Sequence, residues 1–463
     1  MNFRIIALCI ISLSAINLAN AAENTINDIT QLNPIEVAGI LEPTNEQQII
    51  EALKLNNIKV SIGGGKFSQG GQTGLENSLH LDMRKYNEIV NYDKDNKKIT
   101  VQSGITWRDI QEVIDKDNLA IKIMQTYANF TVGGTLSVNA HGRYIGAGPV
   151  INSVDSISII LANGEVKQAS RTNNKELFFA VIGGYGGIGV ISEVTLNLVE
   201  NTKVKRKSER MDIEDYSKYF FAKVRDDKKI VFHNADIYPP HYKTVNSVNW
   251  IETSKDVTTK ERLIPKNDSY TITPNGVDFI ASGDFGKWVR EYIFDPVIFF
   301  PDTVHYRNYE ASYDAAELEP ESRKEYTYGL REYFIPVENF DEFSKQMAKI
   351  FIENDVNVIN VSIRHSKADD ESYLAWAKGE VFSFVVYYRQ GVSEKAKKDV
   401  AKWSKQMVDA TISAGGTYYL PYQLHQSTDQ FLKAYPKANK FFAVKKQYDP
   451  NNRFSNKLWQ KHY

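Results

Sequence analysis

The sequence predicts an α+β fold, in which short strands, loops and helices alternate without long βαβ repeats. Three observations point there. A glycine-rich loop, Ser61 to Gln72, lies between an apolar run at 58–62 and a strand-like run at 78–83. Further β signals at 88–92 and 98–103 precede a single helical stretch at 107–118 and an apolar segment at 119–123. Residues 157–162 and 165–169 then flank Asn163-Gly164, a strong hairpin-turn signal.

Taken in order, the chain opens with Arg4, an apolar run at 5–18 and Ala19-Asn20-Ala21, the pattern of a secretory leader spanning 1–22. The run is too short for a comfortable transmembrane helix. Cys9 is the only cysteine and falls inside the leader, so a processed chain has no thiol for a disulfide, a nucleophile or a cysteinyl cofactor link. The formal net charge is −1, which gives no reason to expect nucleic acid as a partner. The 463 residues suffice for two or three domains.

Thr44 reads as the cap of a helix at 45–56. The loop that follows has five glycines between positions 63 and 71, and Ser68 as a hydroxyl donor. Glycine allows backbone N–H groups to converge and a ligand to approach the main chain, which suits a phosphate or pyrophosphate. A second dense stretch, Thr131 to Arg143, carries the turn Gly133-Gly134 and places Ser137, Asn139 and His141 at every second position. On an extended segment those three share a face. Gly184-Tyr-Gly186-Gly-Ile-Gly189 fits the dinucleotide spacing but not its context: residues 175–181 read as a helix before it and 190–198 as an alternating strand after it, the reverse of what that motif needs.

A basic, polar shift at 201–210 introduces a region rich in Tyr and Phe that runs to about residue 423. It contains strand-like runs at 229–237, 245–252, 328–335, 356–365 and 382–388, and helices at 337–354 and 394–414, the latter ended by Gly415-Gly416. The segment 356–365 alternates, with Asn360, Ser362 and Arg364 on one face. An arginine beside small polar residues can hold a carboxylate or a developing alkoxide. Glu332, ahead of Tyr333 and Pro336, reads as structural. The tail contains Tyr448-Asp449-Pro450.

The glycine loop with Ser68 and Gln72, the Thr131 to Ser137 run, the turn at 183–191 and the terminal Tyr-Asp-Pro together resemble the vanillyl-alcohol oxidase/p-cresol methylhydroxylase family of flavoproteins. The similarity covers 35–200 and resumes from 418. The middle is loosely similar to sugar-lactone and alditol oxidases and to cytokinin dehydrogenases. The resemblance implies an FAD-binding domain of two small subdomains at 35–205, a cap domain with an antiparallel sheet at 206–423, and a segment at 424–463 returning to the FAD domain. It implies that Gly63, Gly64, Gly65, Lys66, Phe67 and Ser68 hold the pyrophosphate. Gln72, Thr126, Thr131, Gly133, Gly134, Ser137, Asn139 and His141 would line the same cofactor, with the backbone at Val190 and Ile191 against it. Tyr419, Tyr422 and His425 fall where relatives face the substrate.

Three departures stand out. Lys66 and Phe67 occupy the place of a flavin-linking histidine, so the FAD is expected to be non-covalent. Residues 124–130 lack the aspartate of cytokinin dehydrogenases, with Thr126 near its position. Ser362-Ile363-Arg364 stands where lactone and alditol oxidases carry Glu-x-Arg, keeping the arginine and losing the glutamate. The resulting expectation is a periplasmic or secreted FAD-dependent oxidoreductase, with Arg364, Ser362, Tyr422 and His425 as catalytic candidates. It would act on a small polar substrate of the sugar-alcohol or lactone class and pass electrons to oxygen or another acceptor. Neither nucleic acid nor a membrane span is expected. A flavin reductase of a cell-wall precursor and a catalytically silent ligand-binding protein are the alternatives.

Overall fold

The computed structural model describes residues 24–55, 57–266, 272–320 and 322–463, so the leader and Cys9 lie outside the described residues. A short antiparallel pair, Thr25–Ile26 with Ile35–Glu36, is followed by three parallel strands, in which Gly39–Leu41 and Val60–Gly63 flank Leu79–Asp82. Helix Glu46–Leu55 presents Ile49 and Leu53 to Val60, Leu81 and Met83. Its cap lies one residue later than the sequence suggests: the Asn45 Oδ1 accepts the Gln48 N–H at 3.0 Å, while Thr44 donates its N–H to the Gln48 side chain.

The second layer is antiparallel. Val166–Ser170, Val154–Leu161, Gly189–Glu200, Lys98–Gln102 and Ile89–Asp93 lie side by side in that order, and Leu119–Ile121 pairs with the far end of Gly189–Glu200. Helix Trp107–Ile114 is capped by Thr106 and buries Trp107, Ile110 and Ile114; it gives way to a 3₁₀ turn at Asp115–Asp117, earlier than the helical stretch read from the sequence. Helix Lys175–Val181 does precede the Gly183–Gly187 turn and strand Gly189–Glu200 follows it, so these glycines make a helix-to-strand reversal.

Ser137, Asn139 and His141 do not share one face of an extended segment. Thr131 Oγ1 accepts the Gly134 N–H and starts a short helix, Val132–Ser137, whose last residue bonds back to the Gly133 carbonyl at 2.8 Å. Asn139 then takes a left-handed φ of 46° and the chain turns away. A side-chain cap at Thr131 settles the local conformation, and alternation over three residues carries too little weight against it.

Residues beyond 203 supply an eight-stranded, wholly antiparallel sheet. Its order is Val304–Tyr306, Lys203–Asp212, Thr244–Glu252, Ile230–Ile237, Val358–Ser366, Val381–Gly391, Tyr326–Pro336 and Thr417–Tyr418. The basic stretch read as a composition boundary is thus the strand Lys203–Asp212; it buries Val204 and leaves its charged side chains partly or fully exposed. Helices Phe340–Glu353 and Glu394–Ser413 pack on one face through Phe340, Phe343, Met347 and Trp403. The opposite face, carrying Leu330, Glu332, Arg364 and Val385, looks toward the glycine loop.

The C-terminal segment closes back on the first two layers. Phe454 bridges to Val60, Asn456 Nδ2 donates to the Tyr185 carbonyl at 2.8 Å, and Trp459 Nε1 donates to the Gly184 carbonyl at 3.2 Å. Lys445, fully buried, donates to the Gly187 and Phe454 carbonyls and pairs with Asp449 at 3.0 Å. Among the described residues no helix is long and apolar enough to cross a membrane.

Candidate active site

The glycine loop is shaped by close approach. A Cβ on Gly64 would come within 2.2 Å of the Thr131 hydroxyl, and one on Gly63 within 2.8 Å of the His80 ring. A Cβ on Gly133 would meet that of Ser103 at 2.7 Å. These glycines let the loop and the Thr131 turn lie against each other, leaving two adjoining hollows of about 160 and 60 Å³. Gly64, Ser68, Thr73, Thr131, Gly134 and Val138 line both, so they form one continuous groove.

The smaller hollow is walled by Gly63, Gln72, Ser103, Gly133, Ser137 and Ile191. The larger one extends past Gly65, Lys66, Phe67, Thr126 and Phe130 to His141, Glu332, Arg364, Tyr419 and Tyr422. Lys66 stands at φ 61° and its Nζ pairs with Asp82 at 2.9 Å. Phe67 stacks on Phe130 with ring centroids 3.9 Å apart. Burial alone would raise the Asp82 carboxyl, but the Arg84 and Lys66 cations overrule it and hold that group down at about 2.

The far wall is ionic. The Arg364 side chain makes no hydrogen bond among the described residues, and its buried Nε is without a partner there. Glu332, on the neighbouring strand but one, has its Oε1 bonded to both His141 Nε2 and Ser383 Oγ, and its Oε2 3.3 Å from the Tyr422 hydroxyl. Burial works to raise the Glu332 carboxyl, yet His141, Arg364 and Ser383 bring it below the ordinary glutamate value. Burial and the Glu332 charge push the Tyr422 hydroxyl well up, so it stays a neutral donor. Gln72 fixes the turn that carries Tyr422, donating to the Leu420 and Tyr422 carbonyls at 2.7 and 2.8 Å.

Several sequence candidates fall elsewhere. Asn139 lines neither hollow; its amide is buried against Asp369 and Ser372, and it clamps the chain behind the Thr131 helix. Val190 points into the core with Ile49 and Phe454, because strand alternation gives the groove only its neighbour Ile191. Ser362 shares the sheet face of Arg364 but does not reach the cavity wall. His425 lies beside Arg331 and Lys461, away from the groove, since Arg331 projects from the opposite side of its strand to Glu332; burial depresses that imidazole to about 2. Glu332, read from sequence as structural, is the residue that reasoning missed. The available signal was a carboxylate directly before the apolar run Tyr333 to Ile335 of a strand, a place where burial requires a partner.

Residues 37–170 match the family model described as an FAD binding domain, and residues 307–462 match that of D-arabinono-1,4-lactone oxidase. The chain is an FAD-dependent oxidoreductase. This oxidoreductase is 22% identical over 435 residues to L-gulonolactone oxidase of Bos taurus, covering 91% of this chain and 94% of that protein. It is 26% identical over 234 residues to mitochondrial L-galactono-1,4-lactone dehydrogenase of Brassica oleracea, covering 49% of this chain and 38% of that one. Cytokinin dehydrogenase 2 of Arabidopsis thaliana is 25% identical over 227 residues, 48% of this chain and 44% of that one.

The groove of the oxidoreductase fits its cofactor. Its glycine-lined wall leaves main chain open to a pyrophosphate. Ser103 Oγ and Thr126 Oγ1, which face the smaller and larger hollows, are buried polar atoms without hydrogen-bond partners among the described residues. Such atoms are costly unless a ligand satisfies them.

Proposed function

We propose that this is an exported FAD-dependent oxidoreductase that oxidises a small, polar, sugar-derived alcohol or lactone. The observation that carries the reading is Arg364, a guanidinium with free donors facing a cavity continuous with the glycine cradle. A substrate oxygen in that cavity would receive planar, permanently charged donors. When bound, the flavin would supply the two-electron acceptor for oxidation of the substrate carbon. Tyr127 and Phe130 give the cavity a largely apolar wall that limits water around the reacting carbon. The lactone names of two relatives support the substrate class. Export is supported by the leader pattern at 1–22.

The test is anaerobic mixing of the purified yellow protein with sugars, alditols, aldonolactones and amines while flavin absorbance is followed. Bleaching by a lactone or alditol is the expected result. Bleaching only by amines, or by nothing in the panel, would overturn the substrate class. Fractionation of producing cells checks export, since a protein retained wholly in the cytoplasm with residues 1–22 intact contradicts it.

A further inference from the structure

We propose that Glu332 takes the hydroxyl proton of the substrate, with His141 and Ser383 holding its carboxylate in place and Arg364 facing the same oxygen. This rests on the oxidation of a C–H bond beside a hydroxyl proposed above. The strand of Arg364 offers no carboxylate, because Ser362 stands two residues before the arginine. A carboxylate reaches the cavity from a different strand. Tyr326–Pro336 and Val358–Ser366 both pair with Val381–Gly391, and in register Glu332 sits opposite Val385 while Arg364 sits opposite Ser383. The acid and the guanidinium therefore share one sheet face and line one cavity.

The two carboxylate oxygens are not equivalent. Oε1 is taken by two short contacts, His141 Nε2 and Ser383 Oγ. Among the described residues, Oε2 has only the long 3.3 Å contact from the Tyr422 hydroxyl, which leaves it acceptor capacity. His141 is itself held: its Nδ1 lies 3.2 Å from the Gly142 carbonyl, and its ring packs 4.8 Å from that of Trp376. Both ring nitrogens face oxygen atoms, which fixes the orientation of the ring beside the carboxylate. The titratable groups that feel Glu332 from the surrounding elements are His141, Arg364, Tyr185, Tyr419, Tyr422 and Tyr435. His141 and Arg364 favour the carboxylate, and the tyrosines, all driven upward by burial, stay neutral.

The step balances. The substrate O–H bond breaks, its proton going to Glu332 Oε2 and its electron pair forming the second bond of C=O; the hydrogen of the C–H bond would leave as hydride, with that bond's electron pair, to the bound FAD. The substrate is oxidised by two electrons and the FAD reduced by two. His141 and Ser383 are positioning residues, since they act through Glu332.

The experiment compares the FAD-loaded wild type with Glu332→Gln and Glu332→Asp by stopped-flow flavin reduction over pH. Glu332→Gln should keep its FAD and bind substrate within a few-fold of wild type, while the limiting reduction rate falls by roughly 10² to 10³, the range for loss of a positioned base. The wild-type rate should be flat near neutrality and fall as pH drops below the ordinary glutamate value. The Gln variant should show no such limb, and Glu332→Asp should restore part of the rate together with the limb. A Gln variant with wild-type rate and limb overturns the proposal. So does loss of FAD and melting in both variants, which would make Glu332 architectural. If nothing in the panel reduces wild type, the substrate reading fails by itself. Glu332 is then judged by its side-chain ¹³C signal, identified as the one missing from Glu332→Gln. An ionised carboxyl at pH 7 supports the role, and a neutral one overturns it.

Discussion

Arg364 shares its cavity wall with the Glu332 carboxylate, and among the described residues its guanidinium has no hydrogen-bond partner to hold it back from a ligand. Replacing it with alanine should slow flavin reduction on the order of 10²-fold or more, as for the loss of one preorganised donor at a developing oxyanion. Arg364→Lys should recover only part of the rate, since an ammonium lacks the planar fork. Flavin content should be unchanged in both, because the glycine cradle lies on other segments. Wild-type rates in both variants would remove Arg364 from the site. The flavin itself is expected to be held without a covalent bond. Lys66 is tied to Asp82 and Phe67 is stacked on Phe130, and His141, the histidine in the cavity wall, is engaged by Glu332. Acid precipitation should therefore release all the flavin to the supernatant; a yellow pellet would contradict this.

At the scale of the element, the glycine loop works by touching the Thr131 turn. Gly64→Val would drive its Cβ into the Thr131 hydroxyl that caps the Val132–Ser137 helix, so loop and helix cannot both keep their places. The expected outcome is folded protein depleted of FAD, measured by the ratio of flavin absorbance to protein. Full flavin content would place the pyrophosphate elsewhere. The same loop has a pH sensitivity whose sign follows from Asp82. Its carboxyl, held at about 2 when folded against about 3.9 unfolded, contributes stability above the unfolded value that is lost as pH falls between the two. Asp82→Asn should melt lower than wild type at pH 7, and the difference should shrink toward pH 2. An unchanged difference across that range would show that the Lys66 and Arg84 contacts carry no linkage.

Across the whole molecule, the flavin domain is completed by residues far along the chain. Lys445 and Asp449 are both fully buried, and Lys445 also holds the Gly187 and Phe454 carbonyls. Lys445→Ala leaves an uncompensated buried carboxylate and should destabilise the fold by about 3–5 kcal/mol, read as a lowered melting temperature. A melting temperature within a degree of wild type would show that water or rearrangement replaces the ammonium. The cap sheet, in turn, brings residues 332, 364 and 385 together from three separate strands.

Local chemistry was legible in the sequence wherever the decisive partner lies close by in the chain. The Asn163-Gly164 hairpin, the helix before and strand after the 183–189 glycines, and the alternation that puts Arg364 on a polar face depend on backbone preference and side-chain period alone. That the glycine loop bends closely against its neighbours was legible for the same reason, since residues without a Cβ permit such approach. What the sequence left open depends on pairing across long separations. Asn139 was read as a ligand contact but is claimed by Asp369, which is 230 positions away. His425 and Ser362 carry suitable chemistry, but neither reaches the cavity wall. Glu332 acquires its place in the cavity from strand register and from His141, which is 191 positions away. A buried charge takes its character from the groups that replace water around it, and those groups are chosen by tertiary structure.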